Sequence, residues 1–241
     1  MISPLANVSP KAKIGKNVTI EPFATIYHDV EIGDDCYIHP NALIYPDTII
    51  GSGCKIFPGA VIGIINQDLK YKGEKSNTVI GNNTTIREFA TIHKGTADRM
   101  TTKVGNNCLI MCYTHLGHDC SIGNNVIIAN NGSLAGHITV EDYVIIEGVV
   151  AAQQFVNIGA HAFVAGASLV RKSIPPYIRV AREPLQFIGV NTIGLTRRGF
   201  DKETIKQIED IYRIIFVRGH NISNALDIVE SEMPDSPIRN E

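Results

Sequence analysis

The sequence predicts a mainly β fold, a solenoid of short strands closed by a small C-terminal α-helical cap, and three observations carry that prediction. First, aliphatic residues recur every six positions: of the 28 positions stepped from Val8 to Val170, 24 are Ile, Leu or Val. A helix needs a period near 3.6 and a half-exposed sheet a period of 2, so a strict six describes short strands separated by corners at fixed spacing. Second, nine of these aliphatics are followed directly by Gly, as at Gly15, Gly33, Gly51, Gly105, Gly123 and Gly159, where a corner would bring backbone close to backbone. Third, the period stops after Val170, and further on Ile205, Ile208, Ile211, Tyr212 and Ile215 take up a helical spacing.

The hexapeptide pattern resembles that of the left-handed parallel β-helix, in which three hexapeptides make one triangular coil. The hand comes from that resemblance and runs against the usual right-handed crossover. Residues three repeats apart then stand in one column, separated by about 4.8 Å per coil.

Residues 1–175 are expected to form this β-helix domain. Within it Cys36, Cys54, Cys108 and Cys120 all fall four places after a repeat aliphatic, a slot filled elsewhere by Ala12, Val18, Ala24, Val30, Ala42 and Ala60. They read as small core residues. Only Cys112 lies outside that slot, and no Cys-x-x-Cys pair exists, so neither a disulfide nor a cysteine metal site is expected. The repeat is interrupted near 63–79, "GIINQDLKYKGEKSNTV", and near 94–103, "KGTADRMTTK", which keep the register by length but put Asp68, Glu74 and Asp98 at aliphatic positions. Both segments are expected to leave the coil as loops, and polar loops on a rigid scaffold are places for function.

Residues 176–241 are expected to hold an irregular link and the helical cap. Pro175, Pro176 and Pro184 break the link, Asp201 is a candidate N-cap and Gly219 a candidate stop. A second short helix carrying Ala225, Leu226, Ile228 and Val229 runs toward Pro234.

Composition narrows the function classes. The chain has 241 residues, 44% of them hydrophobic, and 22 Lys and Arg against 24 Asp and Glu, for a net charge of -2. The basic residues are scattered, so nucleic acid is not an expected partner. No run approaches the roughly 20 apolar residues of a membrane span, and "MISPLANVSPKAKIG" lacks the basic start and apolar run of a signal peptide. A cytoplasmic location is the expectation.

The stretch "THLGHDCSIG" concentrates His115, His118 and Asp119 in an otherwise aliphatic setting. In the column frame His118 is followed by Gly136 and Gln154, and Asp119 by His137. These residues are therefore expected within about 10 Å of one another on one outward face. Three functions suit such a solenoid. In acyl transfer, His118 would act as general base on an acceptor hydroxyl, Asp119 would orient and charge-stabilise its ring, and Gly136 could offer its N–H to the oxyanion. A zinc lyase of the γ-carbonic anhydrase type would need three histidines on one metal, but two residues separate His115 from His118 where that family's close pair has four. A non-catalytic ice-binding solenoid would want long rows of Thr on a flat face, which this chain lacks.

The segments "PGAVIGIINQDLKYKGE", "IREFATIHKGT", "THLGHDCSIGNN", "LAGHITVEDY", "QQFVNIGAHAFVAGASLVRKSIPPY" and "GVNTIGLTRRGF" resemble the UDP-N-acetylglucosamine O-acyltransferase family of lipid A biosynthesis, over nearly the whole chain. The resemblance implies transfer of a (R)-3-hydroxyacyl group from acyl carrier protein to the sugar 3-hydroxyl, by a homotrimer with active sites between adjacent subunits and without metal or other cofactor. It assigns His118 as base, Asp119 as its partner and Gly136 as oxyanion donor. It further implies Gln67, Asp68, Lys70, His93, His115, His137 and Gln154 as substrate contacts, Asn191, Arg197 and Arg198 at the UDP portion, and Gly166 at the end of the acyl groove. A guanidinium pair suits a pyrophosphate. A related N-acyltransferase acting on an amino sugar nucleotide shares the architecture and is the alternative. Three positions depart from the family pattern: Gly117 for Ala, Gln153 for His and Ile193 for an acidic residue, and the cap stops at "EMPDSPIRNE".

Overall fold

The computed structural model describes residues 1–240. Short strands, most of two residues, stack into three sheets of nine, eight and ten strands, parallel but for one terminal strand of the last, that form the sides of a left-handed β-helix. Successive coils pair at a spacing of 18 residues, as in His115↔Ser133↔Ala151↔Leu169. Across the two interruptions the spacing becomes 30, Val61↔Thr91, and then 24, Thr91↔His115. The loops thus add 12 and 6 residues, whole repeats, which keeps every later aliphatic in phase. The strands run further into both segments than the sequence suggests, to Ile64 and from Asn77 in the first and from Thr101 in the second.

The six-residue period exists because each coil turns three corners and points one aliphatic inward before each. Ile20, Ile38, Ile56, Ile86, Ile110, Ile128, Ile146 and Val164 form one such interior column, each fully buried. Fully burying one such side chain stabilises the fold by about 1.5–3 kcal/mol. The four slot cysteines lie buried among them as free thiols, as expected. Three places after nearly every aliphatic outside the two interruptions the chain takes a left-handed conformation, from Asn17 at φ 55° to Ala167 at φ 58°, which Asn, Asp and Gly tolerate best. Aromatic residues at the same corner position stack on their neighbours one coil away, as Phe89 on Tyr113 and His137 on Phe155.

One corner needs glycine for a different reason. There Asn106 N donates to Asn124 Oδ1 at 2.9 Å and Asn124 N to Asp142 Oδ1 at 2.7 Å, a ladder in which each side chain caps the coil before it. A Cβ on Gly105 would sit 2.3 Å from Gly123 O, so the ladder requires bare backbone at the residue before.

The boundary drawn at 175 falls inside the sheet. Ile178–Ala181 extends the ten-stranded sheet, and Gln186–Val190 folds back on it antiparallel. The segment expected to be an irregular link therefore contains a hairpin. Four helices follow: α1 Thr192–Arg197, α2 Lys202–Phe216, α3 Ile222–Glu232 and α4 Pro237–Asn240. Asp201 caps α2 by accepting from Thr204 N at 2.8 Å. The buried face of α2 includes Ile214 as well as the predicted Ile205, Ile208, Ile211 and Tyr212, and packs on α3 through Ala225 and Val229.

Candidate active site

His118 and Asp119 form the turn after the strand His115–Leu116, and the left-handed corner at Asp119 (φ 61°) sets the two side chains side by side. His118 Nδ1 lies 2.8 Å from Asp119 Oδ2. Because an ionised carboxylate only accepts, Nδ1 carries the proton and Nε2 is left as the acceptor. Nε2 is 3.9 Å from Asp68 Oδ2, on the rim of a cleft of about 490 Å³.

Into that cleft the fold brings Gln67, Asp68, Lys70, His93, His115, His118, Gly136 and Gln154. His137 faces an adjoining hollow that shares Asp68 and Lys70. Its ring meets that of His118 edge-on at 4.9 Å, with Nε2 3.8 Å from Asp119 Oδ2. His137 Nδ1 is 3.1 Å from Asp98 Oδ2, yet the angles do not make a hydrogen bond, so the contact is an electrostatic approach only. The cluster was expected on an exposed face. It is instead covered, because both interrupting loops fold over it: His118 is 7% exposed and Asp119 wholly buried.

Burial by itself would push the Asp119 carboxyl up, but hydrogen bonds from Thr96 and His118 and the charge of His137 outweigh it and hold the pKa below the usual carboxylate value. Asp119 is therefore an anion at neutral pH. His93 is pushed down to about 4, first by burial and then by the charges of His115 and His118. His115, which hydrogen-bonds Thr91 Oγ1 through Nδ1 at 2.8 Å, is lowered for the same leading reason. These two rings are neutral at pH 7 and can exchange hydrogen bonds with a polar group in the cleft without placing a charge beside His118.

A pH dependence of stability follows. Between pH 6.5 and about 4 the unfolded chain protonates histidines that the folded chain keeps neutral, namely His93 and the half-buried His161, also held at about 4 mainly by burial. Stability is then fully present above pH 6.5 and is lost as pH falls through that window. The midpoint of thermal unfolding should drop between pH 6.5 and 4, which calorimetry at three pH values would show. His161→Phe should flatten the drop, since Phe is accepted at the same corner position at Phe89 and Phe155; an unchanged slope would remove His161 from the account.

Gly136 is needed at its place. A Cβ there would lie 2.5 Å from His118 Cε1 and 2.6 Å from Nε2, and among the described residues the Gly136 N–H has no hydrogen-bond partner.

Four expected site residues stand apart from the cleft in one chain. Gly166 belongs to the column of Cys112, Asn130 and Gly148, on a different edge of the prism. Asn191 caps α1 through Gly194 N and donates to His161 O at 2.8 Å. Arg197 is exposed near the end of α1, while Arg198 donates to Tyr143 O at 2.8 Å and lies over that ring. Thr96, Arg99 and Thr102, which surround Asp119, were not singled out in the sequence. They lie in or beside the second interruption, but nothing in their spacing shows what they touch.

Comparison with known proteins bears on this site. Residues 174–241 match the model of Udp N-acetylglucosamine O-acyltransferase, domain 2, and residues 11–46, 29–64 and 101–136 that of the bacterial transferase hexapeptide. An acyl-(acyl-carrier-protein)–UDP-N-acetylglucosamine O-acyltransferase of Aliivibrio salmonicida is 39% identical over 74% of this chain and 68% of its own length. A crystal structure of a UDP-N-acetylglucosamine acyltransferase from Bacteroides fragilis superposes with a TM-score of 0.98 at 49% identity, covering 100% of this chain and 94% of the other. The enzyme of Francisella novicida does so at 0.96 and 40%, covering 100% and 88%.

Proposed function

From the premise that the chain belongs to the UDP-N-acetylglucosamine O-acyltransferase family, we propose that it moves a (R)-3-hydroxyacyl group from acyl carrier protein to the 3-hydroxyl of UDP-N-acetylglucosamine, the first step of lipid A synthesis, with His118 as the base. The observation that carries the assignment is the 2.8 Å contact of His118 Nδ1 with the ionised Asp119, which leaves Nε2 as acceptor beside the cleft.

In this reading Nε2 takes the proton of the sugar hydroxyl as its oxygen attacks the thioester carbonyl carbon. Asp119 stabilises the imidazolium that forms, and the Gly136 N–H donates to the oxyanion. The intermediate collapses with cleavage of the carbon–sulfur bond, and the leaving thiolate recovers the proton from His118. Donors from Thr96 and His118 surround the Asp119 carboxylate. Such a setting suits a bare anion rather than a metal ligand, and no metal enters the scheme.

A homotrimer with sites between subunits accounts for the residues that stand apart. The edge bearing Gly166 and the edge bearing His118 can line one groove only if they come from two copies. The column beside Gly166 presents Phe89 (52% exposed), Tyr113 (60%) and Val149 (62%), a row of exposed apolar side chains of the kind that a second copy would cover. Asn191, Arg197 and Arg198 are assigned to the UDP portion. Both substrates place the reaction in the cytoplasm, and among the described residues no helix is long and apolar enough to cross a membrane.

Incubation with UDP-N-acetylglucosamine and 3-hydroxyacyl carrier proteins of graded chain length should yield an O-acylated UDP-sugar by mass; absence of that ester would sink the proposal. Gly166 sets the donor length in this scheme. Its φ lies outside the left-handed region, and a Cβ would meet only Gly148 O at 3.2 Å and the Glu147 side chain. The corner therefore does not demand glycine, and Gly166→Met should fold. The wild type should favour donors of around fourteen carbons, and the variant should shift toward ten, since each methylene denied burial forfeits ~0.8 kcal/mol. Unchanged selectivity in competition between the two donors would reject this role.

A further inference from the structure

The loop that interrupts the repeat after His93 is tied down at several points, and they converge on one side chain. Lys94, 7% exposed, pairs with Asp47 at 3.2 Å, while its N–H donates to Ile64 O. The Gly95 carbonyl accepts from Asn66 Nδ2 at 3.2 Å and from Ser76 Oγ at 2.5 Å, both in the first interruption. Glu74 of the same segment accepts from Ala97 N at 3.0 Å. Between these anchors Thr96 is buried, and it spends its two donors on one group: Thr96 N donates to Asp119 Oδ1 at 3.0 Å and Thr96 Oγ1 to Asp119 Oδ2 at 2.6 Å.

Asp119 Oδ2 is also the atom that meets His118 Nδ1. Two donors from a braced loop on the two oxygens of one carboxylate leave it a single orientation, and that orientation sets the ring of His118. Arg99 N reaches Asp119 Oδ1 at 3.3 Å and its guanidinium the Asp119 carbonyl at 3.1 Å, so the corner is held as well as the side chain. The first interruption lines the cleft and also braces the second, which couples the substrate side to the base.

We propose that Thr96 is a positioning residue for the transfer reaction, its amide and hydroxyl fixing the Asp119 carboxylate so that His118 is aimed at the acceptor hydroxyl. This rests on the reading of His118 as the base. It extends the machinery from the column residues to a loop residue that acts through the Asp119 carboxylate.

The test compares Thr96→Val and Thr96→Ser in the wild-type and Asp119→Asn backgrounds, with UDP-N-acetylglucosamine and a fourteen-carbon 3-hydroxyacyl carrier protein. Thr96→Val should lower kcat about tenfold or more, the effect of losing a hydrogen bond to a charged group that matters in the transition state. KM for both substrates should stay within about twofold. Thr96→Ser should restore kcat to within about threefold, since it returns the hydroxyl. In the Asp119→Asn background Thr96→Val should cost nothing more, because its effect passes through that carboxylate. Thermal unfolding is followed for each protein, and Thr96→Ala, which puts no methyl in place of the hydroxyl, should show the same loss if the valine variant is unstable. Wild-type kcat in Thr96→Val, a loss that serine does not restore, or the same further loss on top of Asp119→Asn would each overturn the inference. Full activity in His118→Ala would instead overturn the base assignment and the inference with it, a distinct result.

Discussion

Replacing His118 by alanine is expected to lower kcat by roughly 100-fold or more, the range for removing a general base. The ring supplies the acceptor Nε2 on the cleft side and the donor Nδ1 toward Asp119 at 2.8 Å. The neighbouring histidines cannot replace it: His93 and His115 are not paired with a carboxylate, and burial lowers their proton affinity. The fold should survive, since the aliphatic residues on either side, Leu116 and Ile122, keep their places in the interior columns. His118 is itself buried, so a small loss of stability accompanies the change, at about 2–4 °C in Tm per kcal/mol. Steady-state kinetics beside a melting curve check both parts. Near-normal turnover by the folded variant would refute the base assignment.

Gly136→Ala should be almost as damaging, although it adds a single carbon. That carbon would lie 2.5 Å from His118 Cε1, 2.6 Å from Nε2 and 3.0 Å from Nδ1. Backbone is held by the ladder, with His137 N on His118 O at 2.9 Å, so the ring must be the part that moves. Swinging it away stretches the bond to Asp119 and displaces Nε2 from the cleft, and a misplacement of about 1 Å can cost on the order of 100-fold. The added methyl also crowds the N–H proposed to meet the oxyanion. The coil itself should remain, with the loss appearing in kcat and the melting point little changed. A folded Gly136→Ala variant within threefold of wild type would show that the ring can yield without consequence, and would separate Gly136 from the chemistry.

The site was partly legible before folding. His118, Gly136 and Gln154 occupy one phase of the repeat, as do Asp119 and His137, so stacking at 18 residues per coil brings them together. Gln67, Asp68 and Lys70 came from the resemblance and do line the cleft. What escaped was the covering. A column argument places His118 on an outward face, but it contains no information about segments that have left the column, and those segments bury it. Thr96 escaped for the same reason, since its partner Asp119 stands 23 residues away across a loop with no period. The hairpin of Ile178–Ala181 and Gln186–Val190 was missed because its residues abandon the six-residue phase while still pairing on the last coil.

The repeat by itself determined the β-helix core, the inward aliphatics, the cysteine slot and the edge on which the histidines gather, because each is a local requirement repeated at constant phase and hydrophobic burial enforces it in every coil. Only the tertiary structure decided which loop atoms close over His118, which tautomer the buried Asp119 imposes on it, and where Asn191 and Arg198 dock on the coil. Those depend on hydrogen bonds between segments far apart in sequence, in a setting where burial makes every unpaired donor or charge costly. That cost acts on positions in space, and no spacing along the chain encodes it.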